Sequence, residues 1–251
     1  MILSTQGLTR RFGGLAAVNA VTIGIEHGRL HAVLGPNGAG KTTLINLLSG
    51  DLEASGGSVI YKGEDITDHA ADRRSRLGIG RSYQKTNIFP GFTAFENCRL
   101  AAQSRMPRAL HLLADAAAFR PVVELADGAL EAAGLARRGG RVASALSHGE
   151  QRQLEIAMVL ATQPEVLLLD EPLAGMGAEE AALMVDLLRK LAPRHAILLV
   201  EHDMDAVFAV ADTITVMVNG QVLESGPPAQ IRASAAVRDA YLGTEIAGAV
   251  A

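Results

Sequence analysis

The chain has 251 residues, of which 23 are basic and 27 acidic, and 49% are hydrophobic, enough to bury the core of one or two domains. The acidic excess and the low aromatic content (6 Phe, 3 Tyr, no Trp) argue against a dedicated nucleic-acid binder. One cysteine excludes an internal disulfide, and the absence of a leader and of a run of about 18 apolar residues predicts a cytosolic protein.

The first two zones of the chain differ in their periodicity. In residues 1–84, short apolar runs between glycines predict strands at 21–25, Leu30–Leu34 and 58–61. From about 85 to 163, alanine- and arginine-rich stretches at helical spacing predict helices over 122–133 and after Ser147.

Strands and helices alternate again from residue 164 onward. Apolar runs predict buried strands at 166–169 and Ala196–Val200, with a helix over 179–191 between them. Asn219 and Gly220 predict a tight hairpin turn. The layout is therefore an α/β core, 1–84 and 164–251, interrupted by a helical insert of about 85–163, with an antiparallel β part near the N-terminus.

Residues 35–43 read GPNGAGKTT and match the phosphate-loop pattern G-x-x-x-x-G-K-S/T. They lie between the predicted strand Leu30–Leu34 and a predicted helix, which is the context that the motif requires. The glycines let backbone N–H groups surround a phosphate, and we expect Lys41 to reach the β and γ phosphates and Thr42 to ligate Mg²⁺. A plain glycine-rich turn is the alternative. The candidate ATP-binding residues are Gly35, Asn37, Gly38, Ala39, Gly40, Lys41, Thr42 and Thr43.

Two carboxylates, Asp170 and Glu171, follow the apolar run 166–169. They lie at the C-terminal end of a predicted strand, where open α/β sheets bind ligands. Asp170 is expected to hold Mg²⁺ through a water, and Glu171 to orient and deprotonate the attacking water. Alone, the two residues could also be an acidic helix cap. Paired with the phosphate loop, they predict a P-loop NTPase.

A third motif, LSHGEQ, occupies residues 146–151. Ser147 and Glu150 predict a capping box, which an ordinary helix start would also explain. The string resembles the signature of ATP-binding-cassette (ABC) ATPases, usually LSGGQ, with His148 and Glu150 in place of a glycine and a glutamine. The resemblance implies that Ser147, His148, Gly149 and Glu150 contact a γ-phosphate bound by a second chain.

The resemblance covers nearly the whole chain. It is to the ATP-binding subunits of ABC transporters, especially the branched-chain amino acid importer type, and it implies an ABC ATPase fold. The strings that carry it are LSHGEQRQLEIAM at 146–158, EPLAGM at 171–176, VEHDM at 200–204 and AYLG at 240–243.

The resemblance assigns roles that spacing alone does not indicate. It implies that Gln84 senses Mg²⁺ and the γ-phosphate, that His202 contacts the γ-phosphate, and that Phe12 stacks on adenine. Val18 is the next candidate for the ring contact. Without the resemblance, Gln84 would be read as a surface residue, His202 as a neighbour of a helix cap, and Phe12 as a core aromatic.

Two departures from the general ABC pattern are evident. The run 173–176 replaces the usual segment that contains an aspartate, a substitution that the importer subgroup shares, and it leaves the aspartate's role unassigned. The stacking ring at Phe12 is phenylalanine where many relatives have tyrosine; ATP binding should survive, since stacking requires only the ring face.

The resemblance implies an ATPase that powers import of branched-chain amino acids or related small polar or amide substrates. Its cofactors would be ATP and Mg²⁺. Its partners would be a second ABC ATPase, identical or not, transmembrane permease subunits and, indirectly, a periplasmic substrate-binding protein, but no nucleic acid. The chain would be cytoplasmic and peripheral on the inner face of the membrane. Alternatives are the ATPase of a lipopolysaccharide-export system, a soluble ABC protein without a transport role, and a binding module without turnover.

Two further features have plainer interpretations. The arginines Arg73, Arg74, Arg76 and Arg81 are expected to form a solvated face, with contact to a partner subunit as the alternative. Cys98 is expected to be an inert small residue of the helical insert.

Overall fold

The first strands form an antiparallel sheet in the computed structural model, which describes residues 1–84, 86–105 and 120–240. Its strands are β1 (Leu3–Phe12), β2 (Leu15–Val21), β3 (Gly24–Ile25), β5 (Gly56–Tyr61) and β6 (Glu64–Asp65), in the order β2-β1-β5-β6 with β3 also paired to β1.

The prediction of a single strand over 21–25 is wrong, because the strand breaks between β2 and β3, where the chain bonds to the Thr5 side chain. Its hydroxyl donates to the Val21 carbonyl at 2.9 Å and accepts from the Ile23 N–H at 3.0 Å. These bonds separate the end of β2 from β3, which pairs with the first residues of β1.

A second sheet carries the predicted buried strands. Within the described residues its order is β11-β10-β4-β9-β8-β7, parallel except for the β10–β11 hairpin. Its strands are β4 (Leu30–Leu34), β7 (Ile79–Arg81), β8 (Val166–Asp170), β9 (Ala196–Val200), β10 (Thr213–Val218) and β11 (Gln221–Gly226). All residues of β4, β8 and β9 are buried, which confirms that both faces of this sheet are covered.

Helices cover both faces of the parallel sheet. One face packs with the antiparallel sheet and α1 (Lys41–Ser49), near α2 (Ala71–Leu77), and the other packs with α6 (Ala178–Leu191) and α7 (Met204–Val210). A last short helix, α8 (Pro228–Ala233), contacts the β10–β11 hairpin. The carboxyl ends of β4, β8 and β9 therefore meet at one edge.

Three helices, α3 (Ala94–Gln103), α4 (Arg120–Ala132) and α5 (His148–Ala161), enclose a hydrophobic cluster of their own. Cys98 is fully buried in it. Helix α5 belongs to two clusters, since Leu154 and Ala157 face the helical cluster while Ile156 and Val159 face the cluster beneath α6. In the described ranges no helix is both long and apolar enough to cross a membrane.

The prediction of a solvated arginine face is wrong for Arg74 and Arg81. Arg74 is only 2% exposed, and its guanidinium donates to four carbonyls, those of Leu47, Leu48, Thr67 and His69. Arg81 pairs with Asp51 at 2.5 Å and lies 3.7 Å from Asp170. The sequence of an arginine run does not indicate which carbonyls and carboxylates the fold places next to the guanidinium groups.

Candidate functional site

The loop between β4 and α1 has the backbone that the phosphate-loop pattern predicts. Gly40 has a φ of 97°, and a Cβ there would lie 2.2 Å from the Ala17 carbonyl oxygen. A Cβ at Gly35 would lie equally close, 2.2 Å, to the Met217 carbonyl oxygen. Both positions therefore require glycine. Helix α1 starts directly after this turn, so the N-terminal N–H groups of the helix point into the loop.

Lys41 folds back onto this loop. Its Nζ donates to the Gly35 carbonyl at 2.6 Å and to the Pro36 carbonyl at 3.1 Å. Burial lowers the pKa of Lys41, while Glu171, Asp170 and Glu201 act in the opposite direction and favour the charged form. The loop thus holds a cation next to the place where a phosphate would enter.

A cavity of about 270 Å³ opens beside the loop. Its lining brings together residues that lie far apart in sequence, which are Ala17, Asn37, Gly38, Ala39, Gly40, Lys41, Thr42, Thr43, Gln84 and Glu171. Val18, in contrast, is fully buried in the core. Its side chain has no exposed surface for the predicted ring contact, and its neighbour Ala17 lines the cavity instead.

The three predicted catalytic side chains meet at one carboxylate oxygen. Gln84 Nε2 donates to Glu171 Oε2 at 3.1 Å, and His202 Nδ1 lies 4.0 Å from the same oxygen. Glu171 has a φ of 49°, a left-handed conformation that is rare for a residue with a side chain. Its N–H donates to the Val200 carbonyl at 2.9 Å, which holds the start of this turn against β9.

Asp170 lies at the end of β8, 1% exposed. Within the part of the chain that the structure describes, neither of its carboxylate oxygens has a hydrogen-bond partner. Burial raises the pKa of Asp170, opposed chiefly by Arg81. Buried acceptors without donors, together with the Thr42 hydroxyl and the Gln84 amide, make an oxygen donor set of the kind that Mg²⁺ prefers.

One residue of this edge, Glu201, was not identified from the sequence. It is fully buried, and its carboxylate accepts from the N–H groups of Leu173, at 2.8 Å, and His202, at 3.1 Å. Burial raises the pKa of Glu201. Glu201 thereby joins the loop after Glu171 to the loop that carries His202. Its position directly after an apolar strand run, like that of Asp170, was the signal that could have found it.

The LSHGEQ motif starts helix α5 with the predicted capping box. Ser147 Oγ accepts from the Glu150 N–H at 3.2 Å, and the Glu150 carboxylate accepts from the Ser147 N–H at 3.0 Å. His148 Nε2 donates to the Ala174 carbonyl at 3.1 Å, so the motif touches the loop after Glu171. None of the four motif residues Ser147–Glu150 is among the residues that line the phosphate-loop cavity of the same chain.

Phe12 ends β1 with its side chain 48% exposed. The Arg10 guanidinium lies 4.8 Å from the ring centroid, a cation–π contact that covers one side of the ring. A half-exposed aromatic ring is suited to stacking on a base.

Comparison with known proteins identifies the family. The family model described as ABC transporter matches residues 18–174, and a model described as branched-chain amino acid ATP-binding cassette transporter matches residues 221–247. The latter range includes positions 241–243 of the AYLG string, which lie outside the described residues.

The chain is 40% identical to the high-affinity branched-chain amino acid transport ATP-binding protein BraF of Pseudomonas aeruginosa, over 96% of this chain and 98% of that protein. It is 39% identical to LivG of Escherichia coli K12, which bears the same description, with the same coverage of 96% and 98%. A solved structure of an ATP-binding cassette of an ABC transporter in its ADP conformation superposes with a TM-score of 0.84 at 29% identity, covering 96% of this chain and 98% of that one. This chain therefore belongs to the ABC transporter family, as an ATPase and ATP-binding subunit of the branched-chain amino acid type.

Proposed function

We propose that this chain binds ATP in the cavity beside the phosphate loop and hydrolyses it with Glu171 as the general base. The observation that carries the proposal is the convergence of Gln84 and His202 on Glu171 Oε2, at the mouth of the loop that holds Lys41. Membership of the ABC transporter family supports the ATPase activity.

Binding uses groups that are already aligned. The N–H groups of Gly38, Gly40 and the first turn of α1 receive the phosphates. Lys41 exchanges its two carbonyl partners for the β and γ phosphates, which keeps its ammonium hydrogen-bonded throughout. Phe12, whose side chain is half exposed, stacks on the adenine.

Thr42, Gln84 and, through a water, Asp170 would hold Mg²⁺. The fit rests on the buried oxygens of Asp170, which have no hydrogen-bond partner among the described residues. When bound, the ion neutralises charge on the phosphate oxygens. Arg81 at 3.7 Å keeps Asp170 in place and favours its ionised form.

In the hydrolytic step a water oxygen attacks the γ-phosphorus while the bond from phosphorus to the bridging oxygen of ADP breaks. The proton of the water passes to the Glu171 carboxylate. Gln84 fixes that carboxylate through its amide N–H, and His202 stabilises the charge on the transferred phosphoryl group. The chain supplies positioning and electrostatic stabilisation, as is general for phosphoryl transfer.

A second ATPase chain completes each site. The motif Ser147–Glu150 lies on α5 of the helical part and not in its own phosphate cavity, and head-to-tail pairing brings it over the partner's γ-phosphate. The chain is divided, in this proposal, into a core of residues 1–84 and 164–251 and a helical part of about residues 85–163. The separate hydrophobic cluster of α3, α4 and α5 supports it.

The proposed partners are transmembrane permease subunits and a periplasmic binding protein, which makes the chain peripheral on the inner face of the membrane. Branched-chain amino acids are the proposed cargo, because the curated relatives named above are described as branched-chain amino acid transport proteins. Those relatives favour this function over lipopolysaccharide export and over a soluble role without transport.

The proposal is tested by phosphate release from purified protein with ATP and Mg²⁺, comparing the wild type with Lys41→Ala. The wild type should release phosphate steadily, and the variant should release none above background because it lacks the charge at the β and γ phosphates. Equal release from both proteins would overturn the assignment of the site.

A further inference from the structure

The helix that begins at the signature carries a buried ion pair. Arg152 and Glu155 follow Ser147 by roughly one and two turns of α5. Their side chains lie 3.3 Å apart, and the two residues are 6% and 4% exposed. Burial raises the pKa of Glu155, opposed by the Tyr83 N–H and by Arg152. Removing two such groups from water is costly unless both are well bonded, so their partners define what the pair does.

Those partners are the backbone groups around Gln84. Arg152 donates to the Tyr83 carbonyl at 3.0 Å and to the Gln84 carbonyl at 2.5 Å. The Tyr83 N–H donates to Glu155 at 2.9 Å. Residues 82–84 follow β7 and lie in neither helix nor strand. The Ser82 N–H still donates to the Leu168 carbonyl of β8 at 2.9 Å, so the bonds from α5 hold the two residues after it, Tyr83 and Gln84.

The side chain of Gln84 continues the connection to the reacting centre. Its amide donates to Glu171 Oε2 at 3.1 Å, while its carbonyl is held from α5. An unbroken set of bonds therefore runs from the helix that starts at Ser147, through Arg152 and Gln84, to the general base. A helix moves as a rigid unit over two turns, so a displacement at its start is passed to the glutamine.

We propose that Arg152 and Glu155 are positioning residues that tie Gln84 to α5, so that engagement of the signature by a partner's phosphate and placement of the glutamine against Glu171 occur together. The inference rests on the proposed function, since it needs both the trans signature and the role of Gln84. A purely structural pair would be satisfied by groups within its own helix or core. This one instead bonds the segment that presents the glutamine.

The decisive test is a set of combined substitutions measured for kcat and ATP affinity. Arg152→Lys keeps the positive charge but cannot span two carbonyls. It should lower kcat about tenfold, because misplacement of a catalytic group reduces the rate of the chemical step. The ATP affinity should stay within about twofold of the wild-type value. In a Gln84→Ala background the same substitution should cause no further loss. Arg120→Lys, which alters the exposed i,i+4 pair with Glu124 on α4, is the matched control and should leave kcat at the wild-type value.

Amide hydrogen exchange measures the attachment of Tyr83 to α5 independently of turnover. Exchange in a peptide that contains Tyr83 should rise in Arg152→Lys and in Glu155→Ala, and Glu155→Gln, which keeps an acceptor for the Tyr83 N–H, should restore protection. If Arg152→Lys does not fold, Glu155→Ala takes its place in the kcat comparison.

The outcomes separate the inference from the proposed function. Equal losses of kcat from Arg152→Lys with and without Gln84 would overturn the inference alone, because the pair would then act independently of the glutamine. A Gln84→Ala variant with wild-type kcat would overturn the proposed role of Gln84 and the inference with it. Unchanged hydrogen exchange at Tyr83 in both Arg152→Lys and Glu155→Ala would also overturn the inference.

Discussion

The Ser147 hydroxyl donates to Glu180 Oε1 at 2.9 Å, and Glu180 Oε1 also accepts from the Gly149 N–H at 3.2 Å. An acidic side chain of α6 therefore occupies the N-terminus of α5, where the partial positive charge of the helix attracts an anion. This is also where the proposed dimer brings the partner's γ-phosphate. The phosphate must displace Glu180 before it can bond Ser147 and Gly149.

Glu180→Ala should therefore favour the ATP-bound dimer. Without the competing carboxylate, the ATP concentration at half-maximal dimerisation should fall at least about tenfold, since a charged hydrogen bond is worth about 1.5–3 kcal/mol. Size-exclusion chromatography over an ATP series measures it. Glu179→Ala, the exposed neighbour on α6, is the control and should not shift the midpoint. An unchanged or raised midpoint in Glu180→Ala would show that Glu180 does not compete.

Glu171→Gln should bind ATP normally and lose at least about 10²-fold in hydrolysis, because the amide cannot accept the proton of the attacking water. The unconsumed ATP should hold the dimer closed. Phosphate release and size-exclusion chromatography in ATP measure the two effects. Near-normal turnover would assign the base elsewhere.

Phe12→Ala should weaken ATP and GTP binding alike, by about 1–3 kcal/mol, because stacking on a ring face depends little on the base. Isothermal titration with both nucleotides measures the loss. Leu183→Ala removes a comparably exposed apolar side chain from α6 and should leave both affinities unchanged. Unchanged ATP affinity in Phe12→Ala would place the adenine contact elsewhere, with the partly exposed Ala17, which lines the cavity, as the next candidate.

Arg74→Ala should lower the free energy of unfolding by about 3 kcal/mol, because four buried or partly buried carbonyls lose a charged donor. For a chain of this size the melting temperature should fall by about 6–12 °C. Arg73→Ala, one residue away and exposed, is the control and should melt as the wild type. A melt of Arg74→Ala equal to that of the control would contradict the structural role of this guanidinium.

The parts of the fold and site that could be predicted are those with a local pattern. Continuous apolar runs located β4, β8 and β9, the Asn219-Gly220 turn located the hairpin, and the capping box located the start of α5. Each depends on residues within a few positions of one another, where periodicity, turn chemistry and helix capping act directly.

The contacts that could not be predicted join residues far apart in sequence. Tyr83 and Glu155 are 72 positions apart, and Ser147 and Glu180 are 33 apart, so no local pattern indicates either bond. Arg74 was misassigned for the same reason, since its carbonyl partners reach back to Leu47, 27 positions away. Charge alone predicts solvent exposure until the fold reveals the partners.

Dimerisation of two complementary variants tests whether the signature acts on the partner's nucleotide. In a Glu171→Gln background, Lys41→Ala removes the phosphate-loop charge and Ser147→Arg blocks the signature, so neither should dimerise alone in ATP. Mixed together, they form one composite site with both lesions and one with neither. An ATP-dependent mixed dimer should then appear on size-exclusion chromatography. Dimerisation of Ser147→Arg alone at the ATP concentration that suffices for the Glu171→Gln parent would contradict the action of the signature on the partner's nucleotide.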